Sequence, residues 1–257
     1  MKDGENMFNF FIEEGNRHNN RYLISGSDYN HIKNVLRMKI GDEFLVSENN
    51  VSNLCRIENF EGECVIAEII EERFQDTSLP IKIYLFQGLP KSDKLELIIQ
   101  KTVELGVEEI IPVEMNRSIV KLDDKKKKSK TERWQSIAES AAKQSKRTII
   151  PAVQSVMTYK QALEFASKLD VFMVPYECKD EMKSTIKALT KIKSGMSVGI
   201  LIGPEGGFEL NEIEAAINAG GIPVSLGKRI LRTETAAITA VGMCMLYAEM
   251  NLNGENE

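Results

Sequence analysis

Val198-Gly199-Ile200-Leu201-Ile202-Gly203-Pro204-Glu205-Gly206-Gly207 is an apolar run that empties into a glycine-rich loop. Shortly after it comes Leu226-Gly227-Lys228-Arg229-Ile230-Leu231-Arg232-Thr233-Glu234-Thr235-Ala236, a turn that opens into a long apolar helix. The first stretch reads as a strand ending in a tight bend, with Pro204 setting the bend. Two such corners, each at the carboxyl end of a strand, are where an open α/β sheet builds a ligand site. No G-K-[ST] follows the first loop, and it does not match G-x-G-x-x-G, so a phosphate cradle is disfavoured. Glu205 would repel a phosphate in any case. Downstream, Asn211 is the expected N-cap of a helix through Ile213, and Thr233 and Thr235 are expected caps of the final helix. That helix is apolar nearly all round from Ala236 to Met250. It must be buried, in a core or against a second subunit.

Upstream of these corners the pattern alternates between strands and helices. Strands are predicted at Ile81–Leu85, Glu109–Val113, Val171–Val174, Val198–Ile202 and Ile222–Ser225. Leu95, Ile98, Ile99 and Val103 share one helical face, with Gly106 at C′. Such alternation predicts a mostly parallel sheet covered on both faces. Residues 7–73 differ. Short strands are expected at Met7–Glu13, Asp42–Val46 and Cys64–Ile70, with one helix over Ser27–Met38, which suggests a small β-rich barrel. The polar segment Glu71–Pro80 marks the boundary. The division is therefore 1–73 and 74–257.

Composition bounds the function. The 257 residues carry a net charge of −5, and 42% are hydrophobic. No apolar run approaches the roughly 20 residues that span a bilayer. The polar start lacks the order of a secretory signal, so a cytoplasmic address is expected. The four cysteines include no C-x-x-C pair, and only two histidines exist. Neither a metal site nor a disulfide framework is expected, and Cys55, Cys64, Cys178 and Cys244 read as packed reduced thiols. The charge is uneven. Residues 121–147 are net basic, with Lys125–Lys128 a solvated loop or a helix start. The acidic N-terminal part still holds a basic stretch of Arg17, Arg21, Lys33, Arg37 and Lys39. A polyanion could dock on such stripes, because charge acts locally.

These residues resemble a known family. The runs LIGPEGGF and SLGKRILRTETAAITAV are similar to the RsmE family, the 16S ribosomal RNA uracil-N3 methyltransferases of the SPOUT superfamily. Gln87-Gly88-Leu89-Pro90-Lys91, Ile99-Gln100-Lys101, Glu104-Leu105-Gly106-Val107, Asn116-Arg117-Ser118, Arg133-Trp134, Ala141–Ser145 and His31–Arg37 fit the same pattern. The resemblance implies a PUA-like RNA-binding barrel followed by a SPOUT α/β domain with a C-terminal trefoil knot, acting as a homodimer on 16S rRNA within the small ribosomal subunit. It implies S-adenosylmethionine as cofactor, held by Val174, Pro175, Ile202, Gly203, Pro204, Glu205, Gly206, Gly207, Leu226, Gly227, Ile230, Leu231, Thr235 and Ala236. Arg232 is the expected catalytic cation, and Glu234, like Glu205, a candidate proton acceptor. Arg17, Arg21, Lys33, Arg37, Lys39, Lys143, Lys146 and Arg147 are expected RNA contacts. Two departures stand out: Asn9 occupies a place where the family commonly has arginine, and Ser92 one where glycine is frequent. A ribose 2′-O-methyltransferase and a non-catalytic RNA-binding or assembly factor are the competing readings.

Overall fold

The computed structural model describes residues 7–12, 15–176 and 182–252. Cys178, the end of the strand expected to reach Glu13, and residues 1–6 lie outside them. The chain forms two compact units, Met1–Ser78 with Ala142–Ile150, and Leu79–Ala141 with Pro151–Glu257.

In the first unit the elements are β1 (Asn9–Phe11), β2 (Arg17–His18), β3 (Arg21–Ser25), α1 (Gly26–Asn30), β4 (Glu43–Glu48), β5 (Val51–Glu61) and β6 (Cys64–Gln75). They build one curled sheet in the order β1-β4-β5-β6-β3-β2. Only the β1–β4 pair is parallel. Phe10, Tyr22, Ile24, Ile32, Phe44, Val46, Ile57 and Val65 fill its core. The helix expected over Ser27–Met38 is shorter. A π-helical turn, His31–Val35, follows α1, and Arg37 then takes φ +55°. That left-handed residue cannot continue a right-handed helix. β5 escaped the sequence reading because Ser52, Asn53 and Asn59 interrupt its apolar pattern. In the fold both polar atoms of the Asn53 side chain find partners: its amide donates to Tyr22 Oη (2.8 Å), and its carbonyl accepts from the Arg73 amide (3.1 Å). β6 outruns its expected end, because its ladder to β5 carries on to the Ser52–Gln75 pair. Burial pushes the Cys55 and Cys244 thiols up to about 12, which leaves both protonated and inert at neutral pH.

The second unit contains β7 (Lys82–Gly88), α2 (Lys94–Glu104), β8 (Val107–Glu114), α3 (Asp124–Gln144, its last turn counted with the first unit), β9 (Ala152–Val153), β10 (Met157–Thr158), α4 (Tyr159–Ala166), β11 (Val171–Pro175), α5 (Met182–Leu189), β12 (Ser197–Ile202), α6 (Leu210–Asn218), β13 (Ile222–Val224) and α7 (Thr233–Asn251). Its sheet runs β10-β8-β7-β12-β11-β13, with β9 also on β8. Every ladder in it is parallel. Parallel strands carry helices on both faces, which is why Ile110–Val113 of β8 and Val198–Ile202 of β12 read as apolar runs. Gly106 sits at C′ of α2 with φ +92°, and Lys125–Lys128 lie in the first turns of α3.

The topology places the crevice. β7 lies in the middle of the sheet. The chain moves from it to β8, β9 and β10 on one side, then returns to β11 and inserts β12 beside β7. The winding reverses between β7 and β12, and ligands bind outside the carboxyl ends of strands at such a reversal.

Candidate active site

A cleft of about 980 Å³ opens there. It lies within the size range of small-molecule sites. Pro175, Ile202, Gly203, Pro204, Glu205, Gly206, Gly207, Leu226, Gly227, Ile230, Leu231 and Ala236, all named from the sequence, line it together with Arg232. Val174 is 1% exposed and sits in the sheet behind the wall. Thr235 and Glu234 are not among the lining residues.

Each corner has a local cause. In the first, the Gly207 amide donates to the Pro204 carbonyl (2.9 Å) and closes the turn. The turn packs hard on β7: a Cβ on Gly88 would lie 2.8 Å from Pro204 N and from Met115 Sδ. α6 then starts from Glu209, not Asn211. A capping box joins Glu209 and Glu212, and the buried Glu212 carboxylate also accepts from the Asn116 amide (2.9 Å). In the second corner, Ser225 Oγ accepts from the Gly227 amide (3.1 Å), and Thr185 of α5 bonds the Ser225 backbone at both N and O. Gly227 takes φ +105°, and a Cβ there or on Gly207 would meet nothing within 4 Å. Both glycines thus present bare backbone to open space.

The two corners are tied together. Thr233 is buried. Its hydroxyl donates to the Gly203 carbonyl (2.7 Å) and accepts from Gln87 Nε2 (2.9 Å). The expected capping role of Thr233 and Thr235 is therefore corrected: the N-cap of α7 is Arg232, without a side-chain cap, because the Thr233 hydroxyl is committed to Gly203 and Gln87.

The charges at the mouth are ordered by a residue that sequence reasoning missed. Lys94, from the first turn of α2, lies 3.0 Å from Glu205 Oε1 and 3.6 Å from Glu234 Oε2. Burial alone would raise the Glu205 carboxyl. The Lys94 ammonium and the Lys91 amide (3.0 Å) outweigh it and hold the group below the usual carboxylate range. Among the described residues the Arg232 side chain makes no hydrogen bond or ion pair. Arg117 was also missed as a cleft residue. It donates to the Gly206 carbonyl (2.9 Å) and braces the first loop. Phe208, Tyr176 and Met182 complete the walls, with Phe208 and Tyr176 edge to face at 6.4 Å. Lys94 sits in a helix whose sequence signal is its apolar face, so its pairing across the fold leaves no local trace.

The expected RNA contacts all fall in the first unit. Arg17 pairs with Glu72, Arg21 with Glu58 (2.5 Å), and Lys143 with Asp28 (3.5 Å). Lys33 lies over the rings of Tyr29 (5.1 Å) and Phe60 (5.4 Å). Arg147 is only 6% exposed, and Lys146 takes φ +55°. Arg37 and Lys39 are exposed, and among the described residues neither side chain is in an ion pair. Asn9 is buried, donating to the Arg147 carbonyl (2.9 Å) and accepting from Ser47 Oγ (3.0 Å). Its place is internal, and no surface contact remains to it.

Among the described residues no group of His, Cys, Asp and Glu could hold a metal ion, and no helix is long and apolar enough to cross a membrane.

With its all-parallel sheet, its cleft of two joined corners and a separate curled sheet, the chain matches the class of α/β RNA methyltransferases that carry a PUA domain. A family model described as an RNA methyltransferase domain matches residues 77–245, and one described as an RNA methyltransferase PUA domain matches 24–75. Ribosomal RNA small subunit methyltransferase E from Bacillus subtilis is 40% identical over 89% of this chain and 91% of its own length. The protein of the same name from Mesomycoplasma hyopneumoniae is 34% identical over 93% and 99%. The crystal structure of that methyltransferase from Neisseria gonorrhoeae, bound to S-adenosylmethionine, superposes with a TM-score of 0.78 at 29% identity, covering 94% of this chain and 98% of that one. The chain belongs to the ribosomal RNA small subunit methyltransferase E (RsmE) family.

Proposed function

We propose that this protein methylates N3 of a uridine in 16S ribosomal RNA, with S-adenosylmethionine as donor. The observation that carries the reading is the cleft itself: bare glycine backbone and apolar walls inside, with the unpaired Arg232 guanidinium at the mouth. The residues present fit the donor. Gly207 and Gly227 leave open the space that side chains would fill, and Ile202, Leu226 and Leu231 offer apolar surface for an adenine ring. When bound, the donor supplies a methyl group on a sulfonium sulfur.

Uridine N3–H is a weak acid, and the nitrogen must lose its proton to act as a nucleophile. Arg232 favours the anion by placing a fixed positive charge against O2 or O4 of the base. Such preorganised charge in a water-poor site contributes about 3–4 kcal/mol of barrier lowering. The two corners, pinned through Thr233, hold base and donor in line, and alignment can contribute about 7–11 kcal/mol more. Glu205, which lines the cleft, and Glu234, set behind Lys94, are the candidate proton acceptors.

The first domain, read as 1–73, binds RNA through Arg37 and Lys39, with Arg17, Arg21 and Lys33 in supporting places; Lys143, Lys146 and Arg147, which fold with that unit, add to it. The second, read as 74–257, carries the chemistry, and its C-terminal segment threads the trefoil knot that the family resemblance implies. A homodimer is supported by α7. Its inner side is buried through Ala237, Ala240, Val241, Cys244 and Ala248, while Leu246 and Met250 lie exposed. The setting is the cytoplasm, on RNA in the small ribosomal subunit.

The test is methyl transfer from labelled donor to small-subunit RNA, naked and assembled, with the modified nucleoside identified by mass spectrometry. 3-Methyluridine is expected, and Arg232→Ala should lose about 10²-fold or more in kcat. A 2′-O-methylated nucleoside, or an Arg232→Ala variant with full turnover, would contradict the mechanism.

A further inference from the structure

Arg232, Glu205 and Lys94 line the same cleft, and Glu234 stands behind Lys94. Arg232 and Glu234 flank Thr233 in sequence, and Glu205 stands two residues past Gly203. The hydrogen bond from Thr233 Oγ1 to the Gly203 carbonyl (2.7 Å) brings the two segments side by side. An arginine beside two carboxylates ordinarily pairs with them, because charge-assisted bonds to a planar guanidinium are strong. Here Arg232 does not, and the reason comes from another element. The ammonium of Lys94, on α2, lies 3.0 Å from Glu205 and 3.6 Å from Glu234. The Lys91 amide takes a further lone pair of Glu205. Glu234 Oε2 is buried without a hydrogen bond, and Lys94 is its neighbouring cation.

We propose that Lys94 is a positioning residue: it holds Glu205 and Glu234 on its own side of the cleft and so leaves Arg232 uncommitted for the RNA base. Without it, two uncompensated carboxylates would stand within reach of that guanidinium. Arg232 would turn to them and be lost to the substrate. The inference rests on the methyl-transfer reading given above.

The test uses the full-length chain and Lys94→Gln. Its crystal structure is expected to show Arg232 within about 4 Å of Glu205 or Glu234, the reach of an ion pair. Its kcat on small-subunit RNA should fall on the order of 10²-fold, the cost of losing one stabilising charge. The KM for donor should change less than kcat, while the melting temperature falls, because Glu205 and Glu234 lose their neighbouring cation. Lys94→Arg, which keeps the cation, should recover most of the turnover, and it serves equally if the glutamine variant folds poorly. An Arg232 still unpaired in Lys94→Gln would overturn the proposal. So would wild-type kcat in that variant, or a loss confined to donor binding. Absence of methyl transfer by the wild-type protein would instead sink the functional reading. The crystal structure separates the two failures, because it reads the pairing without any turnover.

Discussion

The Thr233 hydroxyl donates to the Gly203 carbonyl and accepts from the Gln87 amide, so one buried group joins the end of β7, the first corner and the start of α7. Thr233→Val keeps the shape and deletes both bonds. Gln87 Nε2 keeps its bond to the Gly88 carbonyl (2.9 Å), and the Gly203 carbonyl left unpaired costs about 1–3 kcal/mol. In a domain of this size the melting temperature should drop by about 2–4 °C per kcal/mol. An unchanged calorimetric transition would show that the hydroxyl is replaceable. Glu205 gives a pH dependence at the same scale. Its folded value is lowered, so its pairing stabilises the fold fully above the ordinary glutamate value of about 4.3 and is lost as the pH falls through the lower folded value. The stability difference between wild type and Glu205→Gln should therefore shrink on acidification from about pH 6 to 3. A difference that grows instead would reverse the sign.

Between β7 and α2 the chain turns through Ser92, which adopts φ +54°. A residue with a Cβ pays about 1–2 kcal/mol in this left-handed region, and glycine does not. Glycine also has more freedom to lose on folding, which offsets part of the gain. Ser92→Gly is expected to raise stability by about 0.5–1 kcal/mol, read by denaturant titration. No gain would mean that the serine side chain makes up for its backbone. α7 poses a different question. A helix apolar on every side needs cover on every side, yet Leu246 is 49% and Met250 73% exposed. Burying such side chains contributes about 1.5–3 kcal/mol each, which is the drive for self-association. Wild-type protein should sediment as a dimer and Leu246→Glu should shift toward monomer. A wild-type monomer at micromolar concentration would remove the dimer.

For the whole molecule, the net charge of −5 conceals how a polyanion is met. Several cations of the first unit are paired with carboxylates or rings; among the described residues Arg73 is in no ion pair, nor are the expected RNA contacts Arg37 and Lys39. RNA affinity should fall steeply with salt. Replacing both by Gln should flatten the slope of log K against log salt by about 0.7 per lost phosphate contact on single strands. Filter binding across a salt series measures it, and equal slopes would place the phosphate contacts elsewhere.

Periodicity alone specified much of this molecule. Alternating strands and helices, apolar runs such as Ile110–Val113, and glycines at strand ends are local statements about burial and backbone freedom, and the parallel sheet and both corners follow from them. The long-range pairings were beyond its reach. Asn53 looked unlike a strand residue until Tyr22 and Arg73 satisfied its amide. Asn211 and the threonines looked like caps until Glu209, Gln87 and Gly203 proved to be the partners in play. Nothing local marked Lys94, on a helix legible only by its apolar face, until the fold brought it to two carboxylates. A hydrogen bond or ion pair between residues far apart in the chain has no sequence period, so only the folded arrangement decides which polar groups are spent on the scaffold and which, like Arg232, are left for chemistry.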